Sequence, residues 1–180
     1  SEEEISISDN GRGIPIDFHP KFPDKTALEV IFCTLHAGGK FSDKNYLTSG
    51  GLHGVGISVV NALSEKLTVE VVKNRVCYSQ SFSKGIPLGK LLKLGEKRIK
   101  SGTKITFSPD KTIFSGNKLF NPEKIYELAK SKAYLFSGVT IDWKAPNIGE
   151  NNLNTIPTSE RFHFENGLMD LVRSNTAVEY

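Results

Sequence analysis

Four glycines lie within seven residues, at Gly50, Gly51, Gly54 and Gly56, immediately before the apolar stretch "ISVVNAL". Glycine adopts positive φ without a steric penalty and lets the backbone approach a ligand closely. The first turn of a helix adds unpaired N–H groups at the positive end of the helix dipole. Such a loop-to-helix junction can bind a phosphate, although a tight turn without a ligand explains the same glycines.

Two phosphate-binding motifs are excluded at this junction. Residues 51–56 have the spacing G-x-x-x-x-G, but Ile57 and Ser58 stand where a Walker A loop requires Lys and Ser or Thr. A dinucleotide-binding fingerprint needs a third glycine and a preceding strand, and the preceding segment is the polar run "KFSDKNYLTSG". This run, from Lys40 to Gly50, is a loop of a length that compact domains seldom keep unless it has a function. It is therefore predicted to act as a lid.

The segment before this loop has the pattern of a helix with one buried face. Thr26 is followed three residues later by Glu29, which is the signature of a capping box. Apolar residues from Leu28 to Leu35 recur at helical spacing, and Gly38 is predicted to end the helix.

Alternating apolar and polar residues predict several strands. They are "ISIS" at residues 5–8, "LTVEVV" and "VCYSQSF" as a hairpin around Lys73 and Asn74, then "TKITF" and "VTIDW". An Asn-Pro pair at residues 121–122 opens a further helix, "NPEKIYELAKSKAYLF". Helices mixed with antiparallel strands indicate an α+β fold.

Composition excludes several classes of protein. The chain has 23 Lys and Arg against 20 Asp and Glu, and because these charges are spread along the sequence the net +3 argues only weakly for nucleic acid. Cys33 and Cys77 have neither zinc-site spacing nor the density of a disulfide scaffold, which favours a cytoplasmic location. No segment approaches the roughly 20 apolar residues that span a bilayer, so no membrane is predicted.

Three segments carry a specific resemblance. "DNGRGIP", "LHAGGKF" and "SGGLHGVGISVVNALS" occur here in the order found in the ATPase domain of bacterial type IIA DNA topoisomerases. "HPKFPDKTALEVI" and "FSDKNYLTSGG" are more similar to the B subunit of topoisomerase IV than to that of DNA gyrase. The resemblance implies a two-layer sandwich in which helices cover a mixed, mainly antiparallel sheet, lacking its N-terminal part. Residues 1–158 would form the ATPase domain and residues 159–180 the start of the transducer domain.

The resemblance also implies a site for ATP. Asp9, as a buried carboxylate, would accept a hydrogen bond from the adenine amino group. Thr103 would hold a water beside the adenine, although a β-branched residue in a strand needs no such role. After Asp9, the residues Gly13, Ile14 and Pro15 would line the pocket for the base. The sequence Asp-Asn-Gly that precedes them usually marks a surface hairpin turn, which is the alternative interpretation.

The phosphates would be bound by the lid and the glycine-rich loop. Lys40 and Tyr46 lie in the lid, which would fold over the triphosphate. The loop residues that would wrap the phosphates are Gly51, Leu52, His53, Gly54, Val55, Gly56 and Ile57.

The family's catalytic Glu and its Mg²⁺-binding Asn match no residue of this sequence and are expected upstream. The chain is therefore predicted to bind ATP without hydrolysing it, and to contribute no catalytic residue or metal ligand. The resemblance implies DNA, the topoisomerase A subunit and a second B subunit as partners of the intact protein. Three alternatives are a gyrase B fragment, a chaperone or mismatch-repair ATPase of the same fold, and a remnant that binds a partner without nucleotide.

Overall fold

The computed structural model describes residues 3–37, 54–115, 120–145 and 156–176. These residues belong to two compact units, the first within residues 4–116 and the second within residues 1–3 and 117–180. Each unit has its own hydrophobic core.

The described residues of the first unit form a six-stranded sheet. Its strands are β1 Ile5–Asp9, β4 Ser64–Lys73, β5 Val76–Ser83, β6 Ile86–Pro87, β7 Leu92–Glu96 and β8 Gly102–Pro109, and a separate hairpin contains β2 Phe18–His19 and β3 Phe22–Thr26. The strand order of the sheet is β1-β8-β4-β5-β6, and β7 also pairs with β5. Every strand pair that the structure describes is antiparallel.

The two faces of this sheet differ in chemistry, as is usual for an antiparallel sheet with one face in the core. On the open face, the hydroxyl oxygens of Ser6 and Thr106 lie 2.9 Å apart, and Lys104 lies 3.8 Å from Glu70. The other face is mainly apolar, and in the described part of the chain it is covered by two short helices, α1 Ala27–Cys33 and α2 Gly56–Ala62. The buried core residues between sheet and helices are Leu28, Phe32, Leu67, Val69, Val71 and Phe82.

Helix α1 begins as predicted and ends earlier than predicted. The Glu29 N–H donates to Thr26 Oγ1 at 3.2 Å, which confirms the N-cap. The helix ends at Cys33 because Thr34 takes an extended backbone, with φ −125° and ψ 130°. The prediction that it continues to Gly38 was wrong. Leu35, predicted on the buried face, no longer follows the helical rotation and is 58% exposed.

The predicted hairpin of β4 and β5 is confirmed, but its turn lies one residue later than predicted, because Lys73 pairs with Val76. Its turn residues, Asn74 and Arg75, have φ values of 51° and 68°. Positive φ at both central residues is typical of a type I′ turn, whose twist matches that of the flanking strands. Asn adopts positive φ more readily than most residues.

A buried carboxylate is held where β8 ends. Asp110 is 4% exposed, and it accepts hydrogen bonds from Lys84 Nζ at 2.8 Å and from the Thr112 N–H and Oγ1 at 2.9 and 2.8 Å. The hydrogen bond from Lys84, followed by those from Thr112, lowers the pKa of Asp110 from 3.8 to about 2.

We expect this ion pair to contribute to stability in a pH-dependent way. A carboxyl group whose pKa is lowered on folding stabilises the protein above its ordinary pKa, and this contribution is lost as pH falls through the folded-state value. Asp110→Asn should therefore lower the urea midpoint of unfolding by a constant amount from about pH 7 to about pH 5, and by a shrinking amount between about pH 4 and about pH 2. Asp24→Asn, at an exposed position, is the control. A pH-independent difference between wild type and Asp110→Asn would contradict the assignment.

The described residues of the second unit form two helices and one strand pair. They are α3 Pro122–Leu135, β9 Thr140–Lys144, β10 Ser159–His163 and α4 Leu168–Thr176. Asn121 caps α3 by accepting the Lys124 N–H at 3.1 Å, with Pro122 in the first helical position, as predicted. Strands β9 and β10 pair with each other, so the predicted domain boundary, between residues 158 and 159, falls between two paired strands. The assignment of residues 159–180 to another domain stays a prediction.

The core of the second unit is aromatic. The Tyr126 ring packs edge-on against Trp143 and Phe162, with centroid separations of 5.6 and 5.3 Å. Its hydroxyl group donates to Glu160 at 2.5 Å, and this hydrogen bond, with burial, raises the pKa of Tyr126 to about 12.

None of the helices in the described part of the chain is long and apolar enough to cross a membrane.

Candidate functional site

Two predicted adenine-binding residues meet across neighbouring strands. Asp9, the last residue of β1, lies directly opposite Thr103 on β8, and Thr103 lies opposite Val71 on β4. Directly opposed residues in antiparallel strands point to the same face of a sheet. Asp9, Thr103 and Val71 therefore share the face covered by α1 and α2, and Thr103 is 7% exposed. We call this place the Asp9–Thr103 corner.

The Asp9 carboxylate has one oxygen in use. Oδ1 accepts the Gly11 N–H at 2.8 Å, which orders the turn after β1. No donor to Oδ2 is found in the part of the chain that the structure describes, so this oxygen is available to a ligand. The side chain is exposed, contrary to the expectation of a buried carboxylate. The reason is its position at the end of a strand that pairs with β8 alone among the described strands.

The turn after Asp9 folds back over the sheet. Gly13 has φ 74°, and a Cβ there would lie 3.0 Å from both Val71 Cγ1 and the Val72 carbonyl oxygen. This close approach requires glycine. The next residue, Ile14, packs against the core of the first unit, whereas Pro15 is exposed. The structure thus brings Gly13 and Ile14 to the Asp9–Thr103 corner and leaves Pro15 at its outer edge.

Gly102 was not among the predicted site residues, but it lies at the Asp9–Thr103 corner. A Cβ at Gly102 would lie 2.3 Å from the Asp9 carbonyl oxygen, far inside the contact distance. Glycine at this position is what allows β1 and β8 to pair where Asp9 meets Thr103. The tripeptide "SGT" was the sequence signal, but nothing local shows which backbone lies against it.

The start of α2 offers backbone donors. Gly54 has φ 63°, and the N-cap residue, Val55, makes no side-chain capping hydrogen bond. A Cβ on Gly56 would have no described atom within 4 Å. Ile57 packs on the same core as Ile14. Unpaired N–H groups at a helix start attract anions, and here they share one core with the Asp9–Thr103 corner.

The remaining predicted ligand contacts fall on residues that the structure does not describe. The predicted lid and the first part of the glycine-rich loop lie there, so their roles stay predictions. The residues are Lys40, Tyr46, Gly51, Leu52 and His53.

Comparison with known proteins defines the class. The family described as "Histidine kinase-, DNA gyrase B-, and HSP90-like ATPase" matches residues 1–113. The chain therefore belongs to this ATPase family. Within it, the chain is similar to B subunits of DNA topoisomerase 4: that of Rickettsia felis is 55% identical over 179 residues, and that of Bartonella bacilliformis is 52% identical over 170 residues.

The matches cover this chain almost completely and each relative only in part. The Rickettsia felis match covers 99% of this chain and 26% of the relative, and the Bartonella bacilliformis match covers 94% and 25%. This chain thus spans about a quarter of the length of these curated relatives. The crystal structure of the 43K ATPase domain of Thermus thermophilus gyrase B, in complex with an aminocoumarin, matches with a TM-score of 0.77 and 34% identity, covering 97% of this chain and 41% of that chain. The predicted resemblance and the predicted α+β fold are confirmed.

Proposed function

We propose that this chain is the ATP-binding part of a type II DNA topoisomerase B subunit of the topoisomerase IV branch. The intact protein would couple ATP hydrolysis to the passage of one DNA duplex through another. The observation that carries the proposal is the Asp9–Thr103 corner, where an available carboxylate oxygen and a shielded hydroxyl lie on one face of the sheet beside the returning turn. The names of the curated relatives support the same assignment.

At this corner the base is recognised by hydrogen bonds and by packing. Asp9 Oδ2 accepts the adenine amino group, because Gly11 already occupies Oδ1. A hydrogen bond to an ionised carboxylate is stronger than one between neutral groups. The Thr103 hydroxyl holds a water that bridges to the base. Gly13, Ile14 and Pro15 line the pocket that receives the ring.

The phosphates extend from the base towards the start of α2. Residues 51–57 wrap them with backbone N–H groups, and the uncapped first turn of α2 supports this role. From the predicted lid, Lys40 and Tyr46 close over the triphosphate. The contribution of this chain to the reaction is to bind and orient the nucleotide.

Magnesium and the attacking water are assigned elsewhere. When bound, Mg²⁺ would neutralise charge on the phosphates. The family's Mg²⁺-binding Asn and catalytic Glu match no residue of this sequence, so we propose neither role for a residue of this chain. The intact protein would act in the cytoplasm with DNA, an A subunit and a second B subunit, and residues 1–158 and 159–180 would belong to its ATPase and transducer domains.

A gyrase B subunit is the second candidate, because the structural match is to a gyrase B ATPase domain. The 34% identity of that match, against 55% for the B subunit of a topoisomerase 4, favours the topoisomerase IV branch.

The 180-residue chain should bind a non-hydrolysable ATP analogue and release no phosphate from ATP above background. General-base catalysis contributes about 10²- to 10⁴-fold, and no residue of the chain matches the family's base. Calorimetry measures binding, and a phosphate-release assay measures turnover, with the full-length B subunit of a topoisomerase 4 as the positive control. Turnover comparable to that control would show that the chain contains a catalytic base. Absence of analogue binding would refute the proposal and favour a remnant that binds only a partner.

A further inference from the structure

The positive charge of this chain is concentrated in one segment. Residues 73–104 contain nine of the 23 Lys and Arg but one of the 20 Asp and Glu. All other residues together contain 14 basic and 19 acidic side chains. The small net charge of the chain therefore conceals a strongly basic segment within an otherwise acidic sequence. The interpretation that the charges are spread along the sequence does not hold for this segment.

Four of the nine basic residues lie on two loops at one end of the sheet. Arg75 is in the turn between β4 and β5, and Lys97, Arg98 and Lys100 are in the loop between β7 and β8. Two backbone hydrogen bonds join the loops: the Arg75 N–H donates to the Lys100 carbonyl oxygen at 3.0 Å, and the Lys97 N–H donates to the Arg75 carbonyl oxygen at 2.7 Å. We call these four residues the end cluster.

The end cluster is exposed and is not neutralised within the described part of the chain. All four residues are exposed, and none forms an ion pair with a described carboxylate. By contrast, two other basic residues of the segment are paired, Lys84 with Asp110 and Lys104 with Glu70.

We propose that the end cluster binds the phosphate backbone of duplex DNA. The choice of DNA as the partner rests on the proposed function. The location of the binding surface rests on the structure. Lys and Arg that contact phosphates release condensed counterions, so such binding is independent of sequence and weakens steeply with salt. The two loops are fixed to each other by backbone bonds, so the four cations are presented together and less entropy is lost when they engage one strand.

A nucleotide phosphate is the competing ligand, because Lys100 lies three residues before Thr103. An acidic protein surface is the second competing ligand. The experiment must therefore separate duplex DNA from both.

The test compares two variants with the same change in charge. The end-cluster variant is K97E/R98E/K100E, and the control is K21E/K66E/K124E, at exposed lysines with no ion pair to a described carboxylate. Binding of a fluorescent duplex is measured by anisotropy across a salt series, using the 180-residue chain. Binding of a non-hydrolysable ATP analogue is measured on the same samples, and circular dichroism checks the fold.

We expect the end-cluster variant to bind the duplex at least about tenfold more weakly at low salt, and the control to change by less than about threefold. The slope of log K against log salt should become shallower by about 0.9 for each phosphate that is no longer neutralised, which is about 2 to 3 in total. Affinity for the ATP analogue should stay the same in both variants.

Three results would overturn the proposal. The first is an equal decrease of DNA affinity in both variants, and the second is equal competition by polyglutamate and by unlabelled duplex. The third is normal analogue binding without DNA binding, which would refute this inference alone. DNA binding without analogue binding would refute the proposed nucleotide site alone.

Discussion

Asp9→Asn should weaken the binding of adenine nucleotides by about ten- to a hundredfold, which corresponds to the roughly 1.5–3 kcal/mol of a hydrogen bond to a charged group. The Asn amide can place its NH₂ donor where the carboxylate accepted the adenine amino group. The lost affinity therefore includes a clash of two donors as well as the loss of the negative charge. Calorimetry with a non-hydrolysable ATP analogue measures the effect.

Asp24→Asn is the matched control, because it makes the same chemical change at an exposed position in β3. Its affinity should equal that of the wild type. An Asp9→Asn protein with an intact circular dichroism spectrum and unchanged affinity would refute the adenine assignment.

Gly102→Ala should destabilise the first unit and also weaken nucleotide binding. The new Cβ would lie 2.3 Å from the Asp9 carbonyl oxygen, so β1 and β8 must separate. Overpacking of this kind costs about 1–3 kcal/mol, and the separation displaces Asp9 from Thr103. Urea unfolding and analogue titration together measure the two effects.

Gly89→Ala serves as its control, because a Cβ there meets no described atom within 4 Å. Its stability should change by no more than about 0.5 kcal/mol. Equal stability of Gly102→Ala and Gly89→Ala would show that the strands tolerate a side chain at residue 102.

The local parts of the fold were predictable from sequence, because neighbouring residues produce them. Thr26 and Asn121 each cap a helix through the N–H three residues later, and Asn74 lies in a turn that requires positive φ. Each signal is complete within a few residues. The end of α1 was missed because its last turn depends on the extended backbone of Thr34, which no nearby glycine or proline marks.

The geometry of the site was not predictable in the same way. The resemblance supplied Asp9 and Thr103, but their direct opposition depends on the register between strands that are distant in sequence. The role of Gly102 depends on the same register. The pairing of Lys84 with Asp110 likewise joins residues that no local pattern connects.

Formation of the Asp9–Thr103 corner depends on the pairing of β1, the strand that carries Asp9. Of the strand pairs in the sheet, β1 and β8 are the farthest apart along the chain, and β1 has one described neighbour. Hairpins such as β4 and β5 close short loops and form early in folding, whereas long-range pairs pay more loop-closure entropy. The Asp9–Thr103 corner therefore depends on the described strand pair that has the largest loop-closure cost. Under the proposed function, a nucleotide bound at this corner would stabilise the pairing of β1 with β8, so ligand binding and closure of this strand pair would be coupled.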